Sequence, residues 1–212
     1  MTKAKEMLYP VGVENLFIAF MTGGKDSAGE LPTYDIEMYE LPTIETIGIA
    51  GAPATVRKWA SNKIFVSATK NNQYTLTLDH TSLPVEVKDK MHGKTPVNGV
   101  VFDSSNLTEY PYFAIGFIAP LNDGSKMARW FPRVQVTTDD ESYTTTNDEA
   151  TIPTQQIVMT ATPLLFNANT KVDFNSARTT AEGIKAEDFM AQVICDESQL
   201  ASLVPDTGGT GA

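Results

Sequence analysis

The segment "YTLTLDHTSLPVEVKDKMHG", residues 74–93, changes its period halfway along, and that change restricts the possible folds more than any other feature of the chain. Its first half alternates. Tyr74, Leu76 and Leu78 fall on one side of a strand and Thr75, Thr77 and Asp79 on the other, so one face is buried and one is wet. Its second half has helical signals: Ser82 as an N-cap, Pro84 in the first turn, and Gly93 at the left-handed C-terminal position. Val87 and Met91, four residues apart, can then dock together on the apolar side of the sheet.

The same strand chemistry recurs along the chain. Runs rich in threonine, valine, isoleucine and aromatic residues, separated by polar turns, predict strands near 13–21, 42–50, 54–60, 63–70, 73–79, 112–120, 126–137 and 154–174. The chain therefore reads as mainly β. "TGGKDSAGELPTYDIE" reads as a mobile loop or arm, and "TTDDESYTTTNDEATIP" as a second loop. In "KAEDFMAQVI" the spacing of Phe189, Val193 and Ile194 predicts another short helix. With 212 residues, 42% of them hydrophobic, there is material for one sizeable core. A single domain is expected over 1–202, with an N-terminal arm and a long loop near 22–40, and a disordered tail over 203–212.

Several function classes are disfavoured. "YFAIGFIAPL" is far shorter than the roughly 20 residues that span a bilayer, and no charged-then-apolar leader opens the sequence, so a soluble chain with no membrane partner is expected. One cysteine, Cys195, allows neither an internal disulfide nor a four-thiolate zinc site, and reads as a small buried apolar side chain. A net charge of −10, from 26 acidic and 16 basic residues, argues against a general nucleic-acid-binding surface, although an acidic protein can work beside DNA without holding it. His80 and His92 lack metal-ligand spacing. "TGGKDS" lacks the glycine and hydroxyl spacing of a phosphate loop, and Lys25 stands where a nucleophile elbow at Ser27 would need glycine. Asp139, Asp140 and Glu141 read as a solvated run rather than a calcium site, and the "NLT" at Asn106 has no meaning without secretion. No catalytic residue, metal or cofactor is expected, and the chain is not expected to be an enzyme.

What remains is an order of elements. "VGVENLFIAFM" is followed by "ELPTIETIGIAGAPATVRKWASNKIFVSATKNNQYTLTLDHTSLPVEVKDKMHG", then "YFAIGFIAPLNDGSKMARWFPRVQV", then "IVMTATPLL". This succession resembles the major tail protein family of long-tailed, non-contractile bacteriophages. The shared features are a "G-V/L-E-N" first strand, a proline-led strand, an aromatic-bearing hairpin, a "Y-x-x-x-L" strand and a short "L-P-x-E" helix ending in glycine. They continue with a strand bearing Lys126, Arg129, Trp130 and Arg133, and with Val158 to Pro163. Leu76 stands where the family often has glycine, and the resemblance does not extend beyond Ala201.

The resemblance implies a β-sandwich or partial barrel with one short flanking α-helix, long loops and arms. It implies six-membered rings stacked into a tail tube, a conduit for genome delivery whose closed inner barrel is built from strands of every subunit. The implied partners are further copies of the chain, the tape measure protein, the tail terminator, and distal tail or baseplate proteins, with double-stranded DNA in transient passage. The implied location is the virion tail, with assembly in the host cytoplasm. Four strands from each of six subunits, spaced about 4.8 Å and tilted about 40°, would close a wall roughly 50 Å across.

By the same resemblance the strand at 73–79 lines the channel. Thr75, Thr77 and Asp79, together with Glu45, are the candidate lumen residues. A wall rich in lysine and arginine would capture phosphates and slow the duplex, whereas a neutral or acidic wall lets it slide. On a monomer the same face would simply meet solvent. The hairpin "GAPATVRKWASNK", with Val56, Lys58 and Trp59, would reach a neighbouring subunit, unless Trp59 caps the subunit's own core. The N-terminal arm and the loop around 22–33 are candidates for ring-to-ring contact. Two other classes fit a β-rich acidic chain. One is the inner tube of a contractile injection or secretion system. The other is a carbohydrate-binding β-sandwich using Tyr110, Tyr112 and Trp130 as a platform.

Overall fold

The computed structural model describes residues 7–22, 26–60, 63–104, 109–143, 145, 152–181 and 183–204, and the side chains of 54–72 lie outside that description. The strands are β1 (Leu16–Thr22), β2 (Thr33–Tyr34), β3 (Tyr39–Leu41), β4 (Ile44–Ala60), β5 (Lys63–His80), β6 (Phe113–Pro120), β7 (Lys126–Asp140), β8 (Gln155–Ala161) and β9 (Val172–Asn175). The helices are α1 (Val85–Met91) and α2 (Ala186–Met190), followed by a 3-10 helix over Glu197–Ser202. All nine strands belong to one antiparallel sheet ordered β2-β1-β6-β7-β8-β5-β4, with β3 added to β1 and β9 to β7. The fold is mainly β, consistent with a sandwich or partial barrel.

Two cores lie on opposite faces of this sheet. The first gathers Leu76 and Leu78 of β5, Ile157 and Met159 of β8, Phe131 and Val134 of β7, and Val87 and Met91 of α1, which closes over them. The second sets Trp130 and Ala128 of β7 and Ala114 and Ile118 of β6 against Phe189 and Met190 of α2. Since β6 serves both cores, it is buried at Phe113 to Ala119 and does not alternate. Gly116 lies between them because a Cβ there would come within 2.5 Å of the Trp130 ring and 2.6 Å of Met190.

The change from two covered faces to one happens within β7. Between the pairs Ile115↔Phe131 and Phe113↔Val134, β7 contains one residue more than β6. This bulge includes Pro132, which lacks the N–H that a regular ladder needs. It also reverses the parity of the strand. Phe131 and Val134 therefore both point into the first core.

Some expected boundaries shift. The strands expected at 42–50 and 54–60 are one strand, β4, and those at 63–70 and 73–79 are one strand, β5. Pro53 is accommodated because β4 is an edge strand and the register shifts between Ala52 and Pro53. The long strand expected over 154–174 stops at Ala161 and resumes as β9, with a turn between them that places Ala168 at φ 59°. Ser82 does not cap α1. Pro84 occupies that position in an extended conformation, and the residue before a proline resists the helical conformation that a Ser82 cap would require. Gly93 is left-handed, at φ 63°, as expected. The helix expected through Ile194 ends at Met190, and Val193 and Ile194 are buried by the turn that follows.

Residues 26–41 do not project as a free arm. β2 and β3 both pair with β1, and the buried Asp26 accepts a hydrogen bond from the Leu165 N–H, with the Arg133 Nε 3.7 Å away. At the other end of the chain, Leu203 is buried in the second core.

Candidate functional site

The polar side of the strand at 73–79 belongs to a larger surface. Beyond the bulge, β7 pairs with β8, β8 with β5, and β5 with β4, and the outward positions align in three cross-strand rows. The first row is Thr46, Asp79, Gln156 and Asp140. The second is Gly48, Thr77, Val158 and Thr138, and the third is Ala50, Thr75, Thr160 and Gln135. Directly behind it, Leu76, Leu78, Ile157 and Met159 are fully buried against α1. This is the alternation expected of a sheet with one wet face, extended across four strands.

Apart from Gly48, Ala50 and Val158, the chemistry of this face is hydroxyl, amide and carboxylate. No lysine or arginine occurs in residues 44–52, 73–80, 134–140 or 155–161. The Thr46 hydroxyl donates to one Asp79 oxygen at 2.5 Å and the Gln156 amide donates to the other at 2.7 Å. These two hydrogen bonds, the one from Thr46 foremost, hold the Asp79 carboxyl below its ordinary range, so it is ionised at neutral pH. The hydroxyls of Thr137 and Thr160 are 2.8 Å apart. Glu45 sits in a small bulge between Ile44 and Thr46, at the end of the face, and receives the hydroxyls of Thr81 and Thr154 at 3.0 Å each. The structure thus brings Thr75, Thr77 and Asp79 onto one surface and places Glu45 at its margin.

The acidic run expected to be merely solvated divides by side. Asp140 joins the outer face. Asp139 points inward, with Lys88 Nζ at 3.0 Å and His92 Nε2 at 3.7 Å, and Glu141 also pairs with Lys88. These contacts fasten α1 to the end of β7. Alternation puts Asp139 and Asp140 on opposite sides, and the register shift between Val136 and Thr138 decides which of them faces inward.

The four-stranded surface has two open flanks. Among the described residues no strand pairs with the outer edge of β4, and none pairs with the outer edge of β7 beyond Val134. Gln135 reaches across that second flank to donate to the Tyr110 carbonyl at 2.5 Å. Past Tyr74, the last β5 residue paired with β8, the β4–β5 hairpin continues alone from Pro53↔Asn71 to Ala60↔Lys63. That is a projection of roughly 25 Å at about 3.3 Å per residue. The backbone at Val56, Lys58 and Trp59 lies within it, and their side chains are outside the described residues.

Other sequence candidates occupy structural positions. Trp130 is wholly buried, with its indole N–H donating to the Phe189 carbonyl at 3.2 Å. It cannot join Tyr110 and Tyr112 in a sugar platform, because β7 is covered on both faces there. Cys195 is buried, and burial is the main cause that pushes its thiol up to about 12. Burial, again the largest cause, pushes the His80 imidazole down from its ordinary value. His92 Nδ1 lies 2.8 Å from the Lys88 carbonyl. Among the described residues no group of three histidine, cysteine or acidic side chains could hold a metal ion.

Reasoning from the strand at 73–79 alone missed Thr46, Gln135, Thr138, Asp140, Gln156 and Thr160. The alternation in "QQIVMTA" marks the outward residues of β8, but which strands lie beside β5 depends on long-range pairing. No protein-family model matches the chain, and no curated protein matches it in sequence. Among solved structures, the chain is similar to the tube-terminating cap of the anti-feeding prophage, at 14% identity and a TM-score of 0.43, over 82% of this chain and 97% of that one. A similarity this distant does not bear on function.

Proposed function

We propose that this chain is a structural subunit of a phage tail tube, forming six-membered rings whose joined β4-β5-β8-β7 faces line a channel for double-stranded DNA. The observation that carries this reading is one four-stranded surface that is largely polar, free of lysine and arginine, and, among the described residues, paired with no further strand at either lateral edge. An isolated sheet with two such edges invites uncontrolled pairing, and closing them against neighbouring copies removes the hazard. Six copies contribute 24 strands, for which the barrel estimate of roughly 50 Å applies. The inner surface then presents Asp79, Asp140 and threonine hydroxyls to the duplex, with Glu45 toward one rim. Such a wall releases no counterions from DNA and does not hold it. α1 acts as a buttress behind the wall. The β4–β5 hairpin, with Val56, Lys58 and Trp59, reaches the adjacent subunit. The role is mechanical, without a catalytic step or cofactor, and its place is the virion tail.

The test is electron microscopy of the purified protein over a range of concentrations. Six-fold rings or tubes with a central channel are expected at high concentration. A strictly monomeric species at every concentration, including in the presence of a tail-initiation complex, would overturn the proposal.

A further inference from the structure

The inward row of β5 does not end in an apolar residue. After Leu76 and Leu78 it reaches His80, which pairs through its backbone with Ile44 of β4 and Gln155 of β8 and is only 3% exposed. Both of its ring nitrogens are buried, and neither has a hydrogen-bond partner among the described residues. Buried polar atoms are seldom left in that state, so each case calls for a physical account. A second buried orphan lies on β7. Asp139 Oδ1 has no partner among the described residues, while Asp139 Oδ2 lies 3.0 Å from Lys88 Nζ and 3.7 Å from His92 Nε2. Lys88 also pairs with Glu141, and the His92 ring meets Tyr110 edge to face, with centroids 5.5 Å apart. Together with the buried Val87 and Met91, these contacts hold α1 on the sheet.

The charged groups that face His80 come from every element around it: Asp139 of β7, Lys88 of α1, Glu45 of β4 and Asp79 of β5 itself. Its neighbour on β8, Gln155, is neutral. Asp79 and Glu45 are already engaged, the first by Thr46 and Gln156 and the second by Thr81 and Thr154. Asp139 is the carboxylate with a free buried oxygen. A neutral imidazole carries one N–H, whereas an imidazolium carries two and a positive charge. Protonated His80 would bring a second cation to a carboxylate that already holds Lys88, and one of its two N–H groups would still lack an acceptor. A buried charge in that position costs more than a buried neutral ring. Burial, the largest cause, accordingly pushes the His80 imidazole down from its ordinary value, against the pull of the three carboxylates.

We propose that His80 makes the attachment of α1 acid-sensitive: a proton on this buried imidazole sets it in competition with Lys88 for Asp139 and releases α1 from the sheet. This switch belongs to the single subunit and does not depend on the tube. The opened chain takes up the proton near the ordinary histidine value of about 6.5, and the closed chain only at lower pH. The closed form therefore loses stability as pH falls below about 6.5, until the folded value is passed. Two measurements on the folded protein test this. The chain has two histidines, so the His80 ring signal in a proton NMR titration is the one that persists in His92→Gln, and it should titrate below the ordinary value. Between pH 7 and pH 5 the hydrogen-exchange protection of the Lys88 and His92 amides should fall about tenfold or more, once the intrinsic pH dependence of exchange is divided out. His80→Leu, which fills the site with a group that cannot be protonated, should show no such fall. An ordinary or raised His80 titration, unchanged protection of α1 at pH 5, or the same acid-induced loss in His80→Leu would overturn the switch. The first two measurements decide it even where His80→Leu does not fold.

Discussion

The two halves of β7 differ in residue types and live in different environments. From Lys126 to Phe131 the strand lies between β6 and β9 and is covered on both faces, so Trp130 disappears into the second core and Arg129 pairs with Asp173. From Val134 to Asp140 it is covered on one face only, and Gln135, Thr138 and Asp140 look outward. The bulge at Pro132 separates a half that stabilises the subunit from a half that offers a surface. Cations follow the same division. Lys126 pairs with Glu14 and Glu187, Arg129 with Asp173, and Arg133 donates to Thr162 and the Pro163 carbonyl, all on the doubly covered side or at the bulge.

The first half should tolerate substitution badly, and the outward positions of the second half and of the strands beside it well. The largest effect belongs to Trp130→Ala, which empties a fully buried site and strands the Phe189 carbonyl. It should cost about 3–5 kcal/mol in a denaturant melt. A loss below 1 kcal/mol would mean that the second core is not a folding core.

A smaller effect, on function alone, is expected in the other half's surface. Asp79→Lys replaces a carboxylate by a cation at one position per subunit. Folding and tube formation should survive, because the face is wet. DNA release from particles should slow several-fold at low salt and recover as salt rises, since weak phosphate contacts repeat along the tube. Unchanged release at every ionic strength, with the lysine confirmed in intact tubes, would place this face outside the channel.

The smallest effect is a titration. Hydrogen bonds from Thr46 and Gln156 lower the Asp79 pKa in the folded chain, so its contribution to stability is complete above the ordinary aspartate value, near pH 4, and is lost as pH falls through the folded value. Asp79→Asn should remove that acid dependence and narrow its difference from the unsubstituted protein below about pH 4. A parallel pair of stability–pH curves through that range would show that the carboxylate gains nothing from its partners.

Much of this organisation is legible in the amino-acid order. The alternation through Tyr74–Asp79 places three outward residues correctly, and the spacing of Val87 and Met91 places α1 over the inward ones, because both depend on a period that the local backbone imposes. Gly93 ends its helix for an equally local reason. Where local signals misled, a neighbour had intervened. Val193 and Ile194 keep helical spacing but are buried by a turn, and Trp130 has the look of a surface aromatic until α2 covers it.

The sequence by itself therefore determined a mainly β chain, the two-sided character of β5 and the helix behind it. Only the tertiary structure decided that β4, β5, β8 and β7 are neighbours, which of Asp139 and Asp140 faces inward, and that a proline-bearing bulge separates the doubly covered half of β7 from the half with one exposed face. The reason is physical. Periodicity is a property of consecutive residues, whereas strand order and register are chosen by burial across the whole chain, where a shift of one residue reverses every side chain that follows.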